Sequence, residues 1–421
     1  MTYLNAKKYI DSLPDTSPEP RAGARLGRIL EALGNPQKGL KYISLTGSNG
    51  KTVCAEMLLS VYRDLPYSVG AFLSKNRRDP RRSLRINGAP LSMEDTAALV
   101  AEIRQAVTEL NRAELARDPE APTVVPTVSE LFLVLALLAF RGADCRLCFI
   151  ENDPRMDDPI RFLPPPMGAV ICGAIPHKDR KEMQGIRAGI RHGIREIVSA
   201  PQNLEAHTLI ANTCAAFQCR LTIPARSEIA VGRMTLRSTE FTYQGRPYCL
   251  GLCGKFQITN ATVVIETLSM LERMGYPVSE EQKKKGLSEV RIPGKFEVLS
   301  SSPTIIADST HALVAIDTVL ASLADFRSML GTSVRLLLPD GILAAAYTER
   351  LCDMGYRVTR LVLLSDRNEV SDDSLTHRHT KKKDAIRKAL DSQAPDEILL
   401  ISGPADFTEE IRYDLLQMLG F

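Results

Sequence analysis

The chain has 421 residues, of which 44% are hydrophobic and 24% are charged, and its formal net charge is +3 at pH 7. This length predicts two or three domains with sizeable cores, and the composition is that of an ordinary globular protein. Because there is no basic excess and only 5% of the residues are aromatic, the composition gives little support to a nucleic-acid-binding protein.

Neither a secretion signal nor a membrane span is predicted. Residues 1–9 lack the apolar core of a signal, and the longest apolar stretch, 131–140, has about half the length that spans a bilayer. We therefore expect a cytoplasmic protein without a membrane partner. The nine cysteines are scattered, which predicts reduced thiols. Cys145 and Cys148 have the spacing of a metal-ligand pair, but on a predicted strand they should point to opposite faces.

The first part of the chain alternates helical and strand patterns, which is typical of a mostly parallel sheet flanked by helices. Helical patterns occupy 6–33, 53–60, 92–112, 126–140 and 180–198. Strand patterns occupy 41–45, 68–73, 145–151 and 169–175.

A glycine-rich loop reading TGSNGKT occupies 46–52, between a predicted strand and a predicted helix. Glycines let backbone N–H groups converge on phosphate oxygens, and the helix N-terminus adds partial positive charge. Lys51 can then reach the terminal phosphates of ATP, and the Thr52 hydroxyl can bind Mg²⁺. Only two residues separate Gly47 from Gly50, whereas the common pattern has four before its Gly-Lys. A glycine turn with a solvated lysine is the alternative.

The second part of the chain begins with short strands in 226–253 and an amphipathic helix over 260–274. From residue 293 the alternation restarts, and it predicts parallel β-α units in a smaller domain. Its strand patterns occupy 304–307, 335–338, 360–364 and 397–401.

The order of short motifs resembles the folylpolyglutamate synthases, a branch of the Mur ligase superfamily of ATP-dependent amide ligases. The resemblance extends over nearly the whole chain. It rests on segments at 33–37, 46–52, 72–74, 85–88, 126–130, 254–261, 293–297 and 308–311. Each segment alone is weakly specific, but their shared order is specific.

The resemblance implies a reaction in which ATP phosphorylates a substrate carboxylate. An incoming amine then attacks the acyl phosphate and gives an amide, ADP and phosphate. A free carboxylate is a poor acyl donor because oxide would have to leave, and phosphorylation supplies a better leaving group. Catalysis is then mainly positioning and charge neutralisation by lysine and Mg²⁺.

The resemblance also implies roles for particular residues. The phosphate-binding group is Gly47, Ser48, Asn49, Gly50, Lys51 and Thr52. The Mg²⁺ ligands are Thr52, Ser74, Glu151 and His177. The remaining nucleotide contacts are Gln257, Asn260, Lys295, Asp308 and His311, and the catalytic residues are Lys51, His177 and Arg191. The alternatives are a capping serine at 74, a solvated acid at 151, a surface histidine at 177 and a helix cap at 308.

Several positions depart from the family pattern. The glycine-rich segment after the metal-binding glutamate is replaced by residues 152–157. The family's carbamylated lysine is replaced by Arg191, which stays protonated and cannot carry a carbamate. Either Arg191 contacts phosphate directly in a working ligase, or the chain is a nucleotide-binding relative without ligase activity, with a regulatory or interaction role.

An arginine-dense loop offers a candidate site for a polyanionic substrate such as a folate glutamate tail. Its members are Arg77, Arg78, Arg81, Arg82 and Arg85. A solvated basic loop is the alternative.

We therefore expect an α/β protein with two domains. Residues 1–292 should form a Mur-ligase-like P-loop ATPase domain with a mostly parallel sheet, and 293–421 a smaller C-terminal Rossmann-like domain, with ATP between them. The expected activity is an ATP- and Mg²⁺-dependent acid–amino-acid ligase, with a folate-like carboxylate and glutamate as substrates. We expect a monomer.

Overall fold

The computed structural model describes residues 1–15, 22–47, 49–73, 79–152, 160, 163–176, 179–190, 193–309, 313–339, 341–363, 376–379 and 382–420. Within these ranges, no helix has the length and apolarity needed to cross a bilayer. All nine cysteines are free thiols.

Helices and strands alternate through most of the chain. The helices are α1 (Tyr3–Asp11), α2 (Ala22–Ala32), α3 (Lys51–Tyr62), α4 (Met93–Arg117), α5 (Val128–Gly142), α6 (Arg180–Gly189), α7 (Leu204–Ala216), α8 (Lys255–Arg273), α9 (Glu280–Glu289), α10 (Leu313–Asp325), α11 (Arg327–Leu330), α12 (Ile342–Asp353), α13 (Lys382–Asp391) and α14 (Ala405–Leu419). The strands are β1 (Tyr42–Thr46), β2 (Val69–Phe72), β3 (Leu84–Ile86), β4 (Ala89–Pro90), β5 (Leu147–Glu151), β6 (Gly168–Ile171), β7 (Glu196–Ser199), β8 (Arg220–Thr222), β9 (Ile229–Met234), β10 (Thr239–Tyr243), β11 (Arg246–Leu250), β12 (Glu297–Ser301), β13 (Thr304–Asp308), β14 (Ser333–Pro339), β15 (Arg357–Leu363), β16 (Thr376–His379) and β17 (Glu397–Ser402).

The first of two compact units comprises residues 1–228 and 259–287. Its sheet has the strand order β4-β3-β2-β5-β1-β6-β7-β8. Six neighbouring strands, β2, β5, β1, β6, β7 and β8, run parallel to one another. The strands β3 and β4 are antiparallel additions at the edge next to β2. Because β1 lies between β5 and β6, the carboxyl ends of these three strands meet at one edge of the sheet, where ligands of such folds bind.

The helix α5 forms the centre of the core on one face of this sheet. All its residues from Val128 to Phe140 are buried except Ser129, which matches its continuous apolar sequence. A capping box formed by Thr127 and Glu130 starts the helix. The same Glu130 carboxylate pairs with the buried Arg25 guanidinium at 2.8 Å, which ties α2 to the start of α5.

The helices α6 and α7 pack on the same face of the sheet as α5, over β6 and β7, because Ala169 and Ile171 are in register with Ser44 and Thr46. Here one predicted element is wrong. The helix predicted over 180–198 ends at Gly189, and Ile190 already has extended backbone. Residues 196–199 form β7, which pairs with β6 and β8. Local pattern favoured a helix because Ile186, Ile190 and Ile194 are spaced four apart, and all three pack into the same buried cluster.

The second unit comprises residues 229–258 and 288–421. It contains a three-stranded antiparallel sheet, β11-β10-β9, and a six-stranded sheet, β12-β13-β17-β14-β15-β16. In the larger sheet β12 is antiparallel and the other five strands are parallel. The predicted α/β class, with a mostly parallel sheet followed by a Rossmann-like sheet, is confirmed. The short strands of 226–253, predicted within the first domain, mostly group with this second unit, and the functional division at 292/293 stays a prediction.

Candidate nucleotide-binding site

The glycine-rich loop leaves the sheet at the carboxyl end of its central strand. Leu45 of β1 is in register with Glu151 of β5 and Val170 of β6. Beyond the strands, the Asn152 amide donates to the Leu45 carbonyl at 2.8 Å and the Cys172 amide donates to the Thr46 carbonyl at 2.7 Å. The loop therefore starts from a fixed position between two neighbouring strand ends.

Both glycines of the loop have backbone conformations and surroundings that exclude a side chain. Gly47 has φ +110°, and a β-carbon there would lie 2.2 Å from the Cys172 carbonyl oxygen. Gly50 has φ +82°, and a β-carbon there would lie 2.8 Å from Asn260 Oδ1. The loop needs glycine at 47 for close backbone approach and at 50 for its left-handed turn into α3.

The first turn of α3 presents the groups expected of an anion site. Gly50 is the N-cap and makes no side-chain capping bond, so capping side chains do not occupy the N-terminal amides. The Lys51 ammonium folds back and donates to the Gly47 carbonyl oxygen. Thr52 is half-buried and Asn49 is exposed. Partial positive charge at the helix start and a lysine over the loop favour a bound phosphate.

The side chains around the loop fit a hydrated or metal-bound phosphate group. Two buried oxygens, Thr46 Oγ1 and Asn152 Oδ1, have no hydrogen-bond partner in the described part of the chain. Buried oxygens of this kind are usually satisfied by water or an ion. The buried Glu151 carboxylate and the Thr52 hydroxyl are hard oxygen ligands of the type that Mg²⁺ prefers.

No group of three or more His, Cys, Asp or Glu side chains within the described ranges could hold a metal by itself. Mg²⁺ usually takes one or two protein ligands and completes its shell with phosphates and water, so Glu151 and Thr52 together offer the number of protein ligands that this ion needs.

Two buried cysteines lie behind the loop. Cys54, in the first turn of α3, is hydrogen-bonded to Cys172, and this bond together with complete burial raises the pKa of Cys172 well above its ordinary value. The raised pKa keeps the Cys172 thiol uncharged near Lys51. A thiolate there would compete with phosphate for the ammonium group.

The helix α8 contributes one of its two predicted nucleotide residues to this loop. Asn260 is buried, and its carboxamide lies against Gly50. Its backbone carbonyl oxygen also lies 4.0 Å from the Cys54 sulfur. Gln257 is fully buried in the part of α8 that belongs to the second unit, and its nucleotide role stays a prediction.

In the second unit, two of the motifs form one hydrogen-bonded corner. The Asp308 carboxylate accepts from the Phe296 amide at 2.8 Å, and the Ser309 amide donates to the Gly294 carbonyl at 2.7 Å. Phe296 has φ +50°, so the bond from Asp308 holds an uncommon backbone conformation. Lys295, between them, is half-buried. Asp308 therefore has a structural partner that sequence reasoning missed.

Five predicted site residues lie outside the described residues. They are Ser48, Ser74, His177, Arg191 and His311. Their roles in metal binding, catalysis and nucleotide binding stay predictions.

The arginine-dense loop is occupied by contacts within the protein. Arg81 makes two 2.8 Å hydrogen bonds to the Asp79 carboxylate, which also accepts from the Tyr3 hydroxyl. Arg85 donates to carbonyl groups of its own loop and lies 3.5 Å from Glu56 of α3. These two arginines hold the loop in place, which weakens the case for them as a polyanion clamp. Arg77 and Arg78 lie outside the described residues.

Comparison with known proteins gives one consistent group of relatives, although no protein-family model matches the chain. The chain is 25% identical over 360 residues to the dihydrofolate synthase/folylpolyglutamate synthase of Mycobacterium tuberculosis, covering 79% of this chain and 73% of that protein. It is 22% identical over 436 residues to the folylpolyglutamate synthase of Lacticaseibacillus casei, covering 99% of each. A solved complex of a folylpolyglutamate synthase with AMPPCP and folate matches with a TM-score of 0.80 at 21% identity, covering 99% of this chain and 100% of that one.

The chain has the α/β fold of the solved folylpolyglutamate synthase, with a mostly parallel sheet that carries the glycine-rich loop in one unit and a Rossmann-like sheet in the other. More particularly, the resemblance to folylpolyglutamate synthases that the motifs indicate is confirmed, and it runs from end to end of the chain.

Proposed function

We propose that this protein is an ATP- and Mg²⁺-dependent ligase that adds glutamate to the glutamate carboxylate of a folate. The observation that carries the proposal is the glycine loop at the end of β1, with Lys51 and Thr52 at the start of α3 and Glu151 on the neighbouring strand end. Relatives named for this reaction match the chain over up to 99% of its length, which supports the substrate assignment.

In this proposal the protein acts mainly by placing charges and excluding water. Lys51 neutralises the terminal phosphates, and the loop amides hold them in position. Thr52 and Glu151 would hold Mg²⁺, which supplies further neutralisation of phosphate charge. The folate carboxylate takes the γ-phosphoryl group, and the glutamate amine then displaces phosphate with loss of a proton. We further propose a monomer in a reducing compartment, which suits nine free cysteines.

The test is an assay with ATP, Mg²⁺, tetrahydrofolate and glutamate, followed by mass spectrometry of the folate and measurement of ADP. We expect one ADP for each added glutamyl group. Lys51→Met should lower kcat by about 100-fold or more, because it removes a charge that stabilises the transition state. Lys38→Met, which changes an exposed lysine before β1, should have no effect.

The alternative is a nucleotide-binding protein that has lost ligation. The replacement of the family's lysine by Arg191 is the observation that favours it. Tight ATP binding without transfer to any folate, at any glutamate concentration, would overturn the ligase proposal and support this alternative.

A further inference from the structure

The helix α6 has an apolar face and a cationic face. Met183 and Ile186 are buried in the cluster beneath the helix, while Arg180, Lys181 and Arg187 are exposed. Arg195, just before β7, is also exposed. These four side chains are called the α6 basic track below.

The acidic residues of the same segment do not offset this charge at the surface. The Asp179 carboxylate is the N-cap of α6 and accepts from the Glu182 amide at 2.9 Å. Glu182 itself is 0% exposed. The exposed charged side chains of α6 itself are therefore all cationic.

The track also lacks the ion pairs found elsewhere on the surface. Arg273 pairs with Glu196, and Lys285 pairs with Asp64, both at 2.6 Å. None of the four track residues has a carboxylate partner within the described ranges. Exposed cations without a carboxylate partner in this part of the described structure are available to bind an external polyanion.

The track begins at the edge of the sheet that carries the phosphate loop. Gly173 lies against Asn49 of that loop, and the Gln202 side chain bridges Gly173 and Ile175, at 2.9 Å and 2.8 Å. The start of α6 is therefore fixed near the candidate site. The helix then runs back for about 15 Å toward the opposite edge of the sheet. Arg180 and Arg187 are seven residues apart, so they lie on one face about 10 Å apart.

We propose that the α6 basic track binds the γ-linked glutamate tail of a polyglutamylated folate and guides it away from the site. This rests on the proposed function, because that reaction makes a chain with one carboxylate per added residue. A row of cations that starts at the site and leads away from it matches such a product. Each exposed ion pair is weak and screened by salt, so binding should depend on tail length and ionic strength.

Direct binding is measured with a fluorescein-labelled penta-γ-glutamate peptide, by anisotropy at low salt and at 0.5 M NaCl. Arg180→Gln/Arg187→Gln should weaken binding about fivefold at low salt and reduce its salt dependence. The charge-matched control is Arg112→Gln/Arg117→Gln, which removes two exposed arginines of α4. This control should bind the peptide like the parent protein.

In turnover, the ratio of kcat/KM for a pentaglutamate folate to that for a monoglutamate folate should fall about fivefold in the track variant. Two results would overturn the proposal that the α6 basic track binds the glutamate tail. They are equal peptide affinities for the track and control variants, and stronger binding of a short RNA than of the peptide. A third outcome is that the track variant loses peptide binding although the parent protein forms no glutamyl product. This outcome would support the binding role of the α6 basic track and overturn the proposed ligase activity.

Discussion

Gly47 and Cys172 are in backbone contact, and a β-carbon at position 47 would lie 2.2 Å from the Cys172 carbonyl oxygen. Gly47→Ala should therefore displace the phosphate loop from the end of β6. A displacement of about 1 Å at a reacting group can cost about 100-fold, and we expect a loss of this order in kcat/KM for ATP.

The matched control for this change is Gly39→Ala. Gly39 also has a positive φ, of +80°, but nothing lies within 4 Å of its missing β-carbon. This variant should lose about 1 kcal/mol of stability from backbone strain and keep its ATP affinity. Equal ATP affinities for the two variants, by calorimetry, would contradict the assigned role of Gly47.

The Arg25–Glu130 pair should be important for stability. Both side chains are at most 5% exposed, and Glu130 also closes the capping box of α5. Glu130→Ala should cost about 3–5 kcal/mol in urea unfolding, because it leaves the Arg25 charge buried without this partner. Replacing both residues together, as Arg25→Met/Glu130→Leu, should cost less than Glu130→Ala alone. A cost below about 1 kcal/mol for Glu130→Ala would show that the pair contributes little.

Asp308 should have separable structural and binding roles. Asp308→Asn keeps an oxygen that can accept from the Phe296 amide, whereas Asp308→Ala removes it. We expect Asn to preserve stability and Ala to lose about 1–3 kcal/mol in urea unfolding. Both should weaken ATP binding if the carboxylate binds the ribose. An unchanged ATP affinity for Asp308→Asn would exclude that binding role.

The contact between α1 and the arginine-dense loop should contribute less to stability at acid pH. Burial would raise the pKa of Asp79, but hydrogen bonds from Arg81 and Tyr3 outweigh it and lower that pKa. This stabilisation is complete above the unfolded pKa of about 4 and is lost as pH falls through the lower folded value. The stability difference between the parent and Asp79→Asn, from urea midpoints, should therefore shrink below about pH 4. A pH-independent difference would contradict the pKa shift.

The sequence was most informative where one short segment determines its own structure. The strand, glycine loop and helix around Lys51 follow from the local sequence pattern. The same is true of the apolar helix α5 and of the alternating strands and helices after residue 293. Contacts between distant segments could not be predicted in this way. Asn260 lies against Gly50 although 210 residues separate them, and only the family motif suggested that they meet.

Local backbone detail also changed one interpretation. The sequence predicted that Cys145 and Cys148 point to opposite faces of a strand, but a hydrogen bond between the two thiols lowers the pKa of Cys145. The strand begins only at Leu147, after Asp144 with φ +49°. Cys145 therefore precedes the strand, and the alternation of side chains along a strand does not determine its direction.

Isotope transfer tests the central claim most directly, because it follows the oxygen of the activated carboxylate. The protein is given a folate whose glutamate γ-carboxylate carries ¹⁸O, together with ATP, Mg²⁺ and glutamate. Activation as an acyl phosphate predicts that each inorganic phosphate released contains one ¹⁸O atom, and that Lys51→Met releases almost none. Unlabelled phosphate, released at the same rate without folate or glutamate, would contradict the account.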